Sequence, residues 1–82
     1  MIYCVEDDTG IRELMIYTLK ASGFEARGFA EASEFWQALS EKLPELILLD
    51  IMLPGEDGIT VLEKLRHRAD TAKVPVIMAS AK

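Results

Sequence analysis

Short apolar runs alternate with stretches of helical periodicity along this chain of 82 residues. The first run, Ile2 to Val5, is apolar throughout, as expected of a strand covered on both faces. It breaks off in Glu6-Asp7-Asp8. Thr9 then offers an N-cap, and Ile11, Leu14, Met15, Thr18 and Leu19 fall on one face, which predicts a first helix. Gly23 stands where a left-handed backbone closes a helix. A weaker strand is predicted over 25–29. The second helix starts near Ser33, turns Phe35, Trp36, Leu39 and Leu43 inward, and ends by Pro44. Trp36 shares that stripe, so it reads as core rather than as a platform for a ligand. Leu46-Ile47-Leu48-Leu49 is the clearest strand, and it too ends in an acid, Asp50. The turn-rich run Leu53-Pro54-Gly55-Glu56-Asp57-Gly58 leads into a third helix with Val61, Leu62 and Leu65 inward. Arg66 and Arg68 fall near its C-terminal end, where positive charge is favourable. Pro75 to Ala79 forms a last strand before Ser80-Ala81-Lys82.

The order is β-α-β-α-β-α-β, which argues for an α/β fold: a parallel sheet with helices on both faces and right-handed crossovers. Ligands of such sheets bind just beyond the carboxyl ends of the strands, where strand order reverses. Three strand ends here carry polar groups: Glu6-Asp7-Asp8, then Asp50, then Ser80. If the first and third strands are neighbours, their acids meet in one small pocket. Carboxylates gathered in that way repel each other and are tolerable mainly around a divalent cation, and hard oxygen ligands suit Mg²⁺. An acid after a strand often only caps the next helix, and Asp8 or Thr9 would serve that purpose. Placement at three strand ends together is what favours a site.

Composition narrows the choice. At this length the chain makes at most one domain, and half of its residues are hydrophobic, enough for a core and no case for disorder. The net charge of −5 disfavours a phosphate-backbone partner. The single cysteine, Cys4, lies in an apolar run and reads as a small buried hydrophobe. Nothing resembles a secretory leader or a membrane span, and a cytoplasmic location is expected. There is no glycine-rich loop of nucleotide-binding type. His67 is expected to be solvated between Arg66 and Arg68, and the hydroxyls of Tyr3 and Tyr17 to lie near the surface.

Three segments carry a family resemblance: Val5-Glu6-Asp7-Asp8; Leu48-Leu49-Asp50-Ile51-Met52-Leu53-Pro54-Gly55-Glu56-Asp57-Gly58; and Pro75-Val76-Ile77-Met78-Ala79-Ser80-Ala81-Lys82. They resemble the successive signatures of the receiver domain of bacterial two-component response regulators. The middle one is similar to the branch with a winged-helix DNA-binding output domain. The resemblance covers the whole chain, 1–82, and implies a flavodoxin-like (CheY-like), doubly wound sheet of strand order 2-1-3-4. It also implies that Asp50 is the nucleophile taking a phosphoryl group from a sensor histidine kinase or a small phosphodonor. Asp7 would bind Mg²⁺ (or Mn²⁺) directly, Glu6 mostly through a water, and the Met52 carbonyl would add a further ligand. Ser80 matches the hydroxyl that bonds the phosphoryl oxygen and acts as a switch, with Met52 and Ala81 completing the phosphoryl-binding set. Asp8 lies one place beyond the acidic pair, so capping suits it better.

The family pattern continues through a fourth helix, a fifth strand and a fifth helix, so residues 1–82 are expected to form one incomplete receiver domain. The phosphoryl-contacting lysine and the aromatic switch residue belong to that further part, and Lys82 is not that lysine. Phosphorylation is then expected to be slow or unproductive and signal output impaired. The fourth strand, Val76 to Ala79, becomes an apolar edge inviting a second copy of the chain, and the first helix loses a neighbour. No direct contact with nucleic acid is expected of this segment. Two further classes compete with the phosphoacceptor reading. One is a non-catalytic fragment or self-associating interaction module. The other is a metal-dependent aspartyl phosphohydrolase, which usually carries a second acid two places after the nucleophile, where this chain has Met52.

Overall fold

The computed structural model describes residues 1–79. Four strands and three helices alternate: β1 (Ile2–Val5), α1 (Thr9–Ala21), β2 (Ala26–Phe29), α2 (Ala32–Glu41), β3 (Leu46–Asp50), α3 (Gly58–His67) and β4 (Val76–Ala79). All pairings are parallel, in the order β2-β1-β3-β4. The expected strand order 2-1-3-4 is the observed one. Ile2 lies beside Ala26 on one side and Leu46 on the other, and Val5 lies beside Phe29 and Leu49. β1 and β3 are therefore neighbours at the middle of the sheet.

Side-chain alternation along the strands divides the core between the two faces. Tyr3, Val5, Phe29, Ile47 and Leu49 point to one face and bury Phe35, Ala38 and Leu39 of α2 with Val61 and Leu65 of α3. Tyr3 and Phe29 meet edge-on at 5.1 Å between centroids, and Phe35 stands edge-on to Tyr3 at 6.3 Å. Such pairs add to the hydrophobic gain of burying the rings. The Tyr3 hydroxyl does not reach the surface as expected. It is drawn inward to donate to the Lys42 carbonyl at 2.8 Å. Tyr17, by contrast, is exposed.

The opposite face is thinner. Ile2, Cys4 and Ala26 are covered by Met15, Ile16 and Leu19 of α1. Cys4 is fully buried, and burial pushes its thiol up to about 11, as befits an unreactive hydrophobe. α1 lies over β1 and β2, so its inward stripe includes Ile16. Leu14, expected inside, is 64% exposed. It borders a shallow groove of about 340 Å³ with Ile11, Met15, Thr18, Leu19 and Leu48.

Helix ends follow local chemistry. The α1 cap is Asp8 rather than Thr9: its carboxylate accepts the Ile11 amide at 2.9 Å, while Thr9 is already helical. Gly23, at φ +93°, closes α1 as expected. Its amide donates to the Lys20 carbonyl and that of Phe24 to the Leu19 carbonyl, both at 3.0 Å. α2 ends at Glu41, and Lys42 is extended, which leaves Leu43 outside the helix and 40% exposed instead of buried. Asp57 caps α3 by accepting the Thr60 amide at 2.9 Å. The α3–β4 connection is tied by Arg66, whose Nη1 donates to the carbonyls of Ala72 at 3.0 Å and Val74 at 2.9 Å. Among the described residues, no helix is long and apolar enough to cross a membrane.

Candidate functional site

The register Val5 beside Leu49 places the next residues, Glu6 and Asp50, side by side at the carboxyl ends of the two middle strands. Both are 3% exposed. Asp7 follows in the β1–α1 loop, and one carboxylate oxygen from each of Glu6, Asp7 and Asp50 lies within 4.8 Å of the others. Three of the expected site residues are thus brought together. Asp8 is exposed and is the helix cap instead.

Two backbone amides orient the carboxylates. The Met52 amide donates to Asp50 Oδ1 at 3.0 Å, and the Asp8 amide donates to Glu6 Oε2 at 3.0 Å. The first of these sets the Met52 amide beside the Asp50 carboxylate. Burial pushes the Glu6 carboxyl above its ordinary value. The Asp8 amide works against that rise, while Asp7 and Asp50 reinforce it. Three converging carboxylates, two of them buried, make a donor set fit for a small hard dication, which takes carboxylate and carbonyl oxygens and keeps several waters. Ser80 and Ala81, expected to complete the phosphoryl side, lie outside the described residues.

A family model for the response regulator receiver domain matches residues 2–82. The chain belongs to that family. It is 41% identical over 81 residues to the phosphate regulon transcriptional regulatory protein PhoB of Rhizobium meliloti, covering 99% of this chain and 36% of that protein. It is 40% identical over 80 residues to the transcriptional regulatory protein GltR of Pseudomonas aeruginosa, covering 98% of this chain and 33% of that one. The chain therefore spans about a third of the length of these relatives. Among solved structures, it superposes on the N-terminal domain of a response regulator receiver protein from Methanoculleus marisnigri with TM-score 0.92 at 32% identity, covering 99% of this chain and 66% of that one. The receiver domain of NtrX from Brucella abortus gives TM-score 0.87 at 31% identity, covering 95% of this chain and 65% of that one.

The loop between β3 and α3 is held by contacts that the sequence pattern did not announce. The Gly58 amide donates to the Ile51 carbonyl at 3.0 Å, bringing the start of α3 against the end of β3. A Cβ on Gly58 would lie 2.2 Å from the Asp50 carbonyl oxygen and 2.8 Å from Ile51 Cα, so only glycine permits this approach. Farther along the loop, Glu56 accepts the Trp36 indole N–H at 2.7 Å and pairs with the Lys64 ammonium. Trp36 is therefore half-buried, with its ring on the core and its nitrogen on the loop. His67 is exposed, as expected.

Lys64 first, and Trp36 second, hold the Glu56 carboxyl below its ordinary value of 4.5. An acid with a lowered folded value contributes stability above its unfolded value, and that contribution is lost as pH falls through the folded one. Trp36 is the chain's single tryptophan and reports the bond directly. Its emission is expected to change in a step below pH 4.5, and Glu56→Gln should remove that step. Identical acid titrations of the two chains would show that Glu56 does not hold the loop through Trp36.

Proposed function

We propose that this receiver domain, residues 1–82 read as one unit, accepts a phosphoryl group on Asp50. The reading rests on one observation: three carboxylates, two of them buried, converge at the carboxyl ends of adjacent parallel strands. Glu6, Asp7, Asp50 and the Met52 carbonyl would hold Mg²⁺ (or Mn²⁺), with Glu6 acting mostly through a water. A cation held there would supply positive charge against the repulsion between the Asp50 carboxylate and an incoming anionic phosphoryl group. The Met52 amide holds Asp50 Oδ1 at 3.0 Å and so orients the carboxylate for attack on phosphorus. As the new P–O bond forms, the P–N bond to the donor's imidazole breaks, and the departing nitrogen takes a proton. Ser80 and Ala81 are assigned to the phosphoryl oxygens on the family pattern.

The donor is a sensor histidine kinase or a small phosphodonor, and the domain is a regulator rather than an enzyme with an external substrate. PhoB and GltR are transcriptional regulators, and the same kind of output, with a cytoplasmic location, is proposed here. A net charge of −5 supports the absence of direct nucleic-acid contact by this segment. Incubation with Mg²⁺ and acetyl phosphate is expected to give an acid-stable, base-labile adduct that Asp50→Asn abolishes. A folded chain that forms no adduct is a non-catalytic interaction module. Steady release of phosphate from ester substrates would mark a hydrolase.

β4 lies at the sheet edge and Ile77 on it is 53% exposed, which supports pairing of this edge with a second copy. Sedimentation velocity is expected to show a dimer whose fraction grows with concentration. A well-folded monomer at high concentration would contradict the pairing.

A further inference from the structure

The loop bearing Glu6 and Asp7 is gripped by one side chain of α1. Arg12 is half-buried, and its Nη1 donates to the Glu6 carbonyl at 2.7 Å and to the Asp7 carbonyl at 3.4 Å. Its Nη2 reaches the Thr9 hydroxyl at 3.5 Å. A guanidinium is a planar, rigid fork, so these bonds fix the backbone of two consecutive residues relative to the helix. The aliphatic part of Arg12 crosses β2 at Gly28. A Cβ there would lie 2.9 Å from Arg12 Cγ and 3.0 Å from Cδ. Gly28 pairs with Cys4, two residues before Glu6. A strand glycine, which weakens a strand by itself, is explained here by the arm that passes over it.

We propose that Arg12, accommodated by Gly28, is a positioning residue for cation uptake. By holding the Glu6 and Asp7 carbonyls, it keeps two mutually repelling carboxylates turned toward Asp50 before the metal arrives. This rests on the metal-dependent reading of the site above and adds to it a residue that touches neither cation nor phosphoryl group. Outer partners that orient ligands typically change metal affinity 10–100-fold when removed.

The test is calorimetric titration of the full chain with Mg²⁺, alongside Arg12→Gln, Arg12→Lys and Gly28→Ala, with each metal-free chain melted by circular dichroism. Arg12→Gln is expected to weaken Mg²⁺ binding by about tenfold or more. Arg12→Lys, which keeps a donor but loses the fork, should fall between. Gly28→Ala should reproduce the weakening with Arg12 and every carboxylate still present. Unchanged affinity in folded Arg12→Gln and Gly28→Ala overturns the positioning role. A fall in melting temperature with no change in affinity assigns Arg12 to the fold alone and also overturns it. If the unsubstituted chain takes up no Mg²⁺, the proposed function itself fails, a result distinct from the other two.

Discussion

Parallel pairing of β1 with β3 is the constraint on which the rest of this molecule depends. With Val5 opposite Leu49, the two residues that follow are Glu6 and Asp50, and both carboxylates are delivered into a nearly dry corner at the strand ends. Packing of Tyr3, Val5, Ile47 and Leu49 against α2 and α3 secures that register, because a slip by one residue would turn each of these side chains to the opposite face. Hydrophobic burial thereby holds like charges together. The raised proton affinity of Glu6 comes first from that burial, and Asp7 and Asp50 add to it.

Strand pairing alone does not aim the carboxylates, and the loops after β1 and β3 are each fastened by specific contacts. After β1, Asp8 caps α1, and Arg12 reaches back to the Glu6 and Asp7 carbonyls. After β3, Gly58 lets α3 begin against the Asp50 backbone, and Glu56 ties the loop to Trp36 on α2 and Lys64 on α3. A site built on strand ends gains rigidity from the sheet. Its loops have their own anchors, which lie on helices that bury their apolar faces for unrelated reasons.

Much of the fold was legible in the chain because apolar runs and helical stripes are local patterns. Every strand and helix was expected, and the strand order came from family resemblance. Errors arose where a residue's surroundings depend on distant elements. Leu14 shares a helical stripe with Met15, yet it lies beside a groove over Leu48 because α1 sits above β1 and β2. Tyr3 lies inside because a carbonyl beyond α2 awaits its hydroxyl. The acids Glu6, Asp7 and Asp50 were legible from their places after strands. Arg12 and Glu56 were not, since a long side chain bonding to a backbone carbonyl, or to an indole 20 residues away, leaves no periodic trace. Gly58 had a signal, a glycine closing a turn-rich run, but its reason is a contact with Asp50 that only the folded chain reveals.

The central claim is that folding forces carboxylates together and that a dication relieves the strain. Thermal melting of the chain and of Asp50→Asn, each with and without Mg²⁺, tests this most directly. Without metal, the Asn variant should melt at a higher temperature than its parent, because one of the converging negative charges is gone. Mg²⁺ should then raise the Tm of the unsubstituted chain and leave that of the variant nearly unchanged. A variant no more stable than its parent without metal, with equal responses of both to Mg²⁺, would contradict the account.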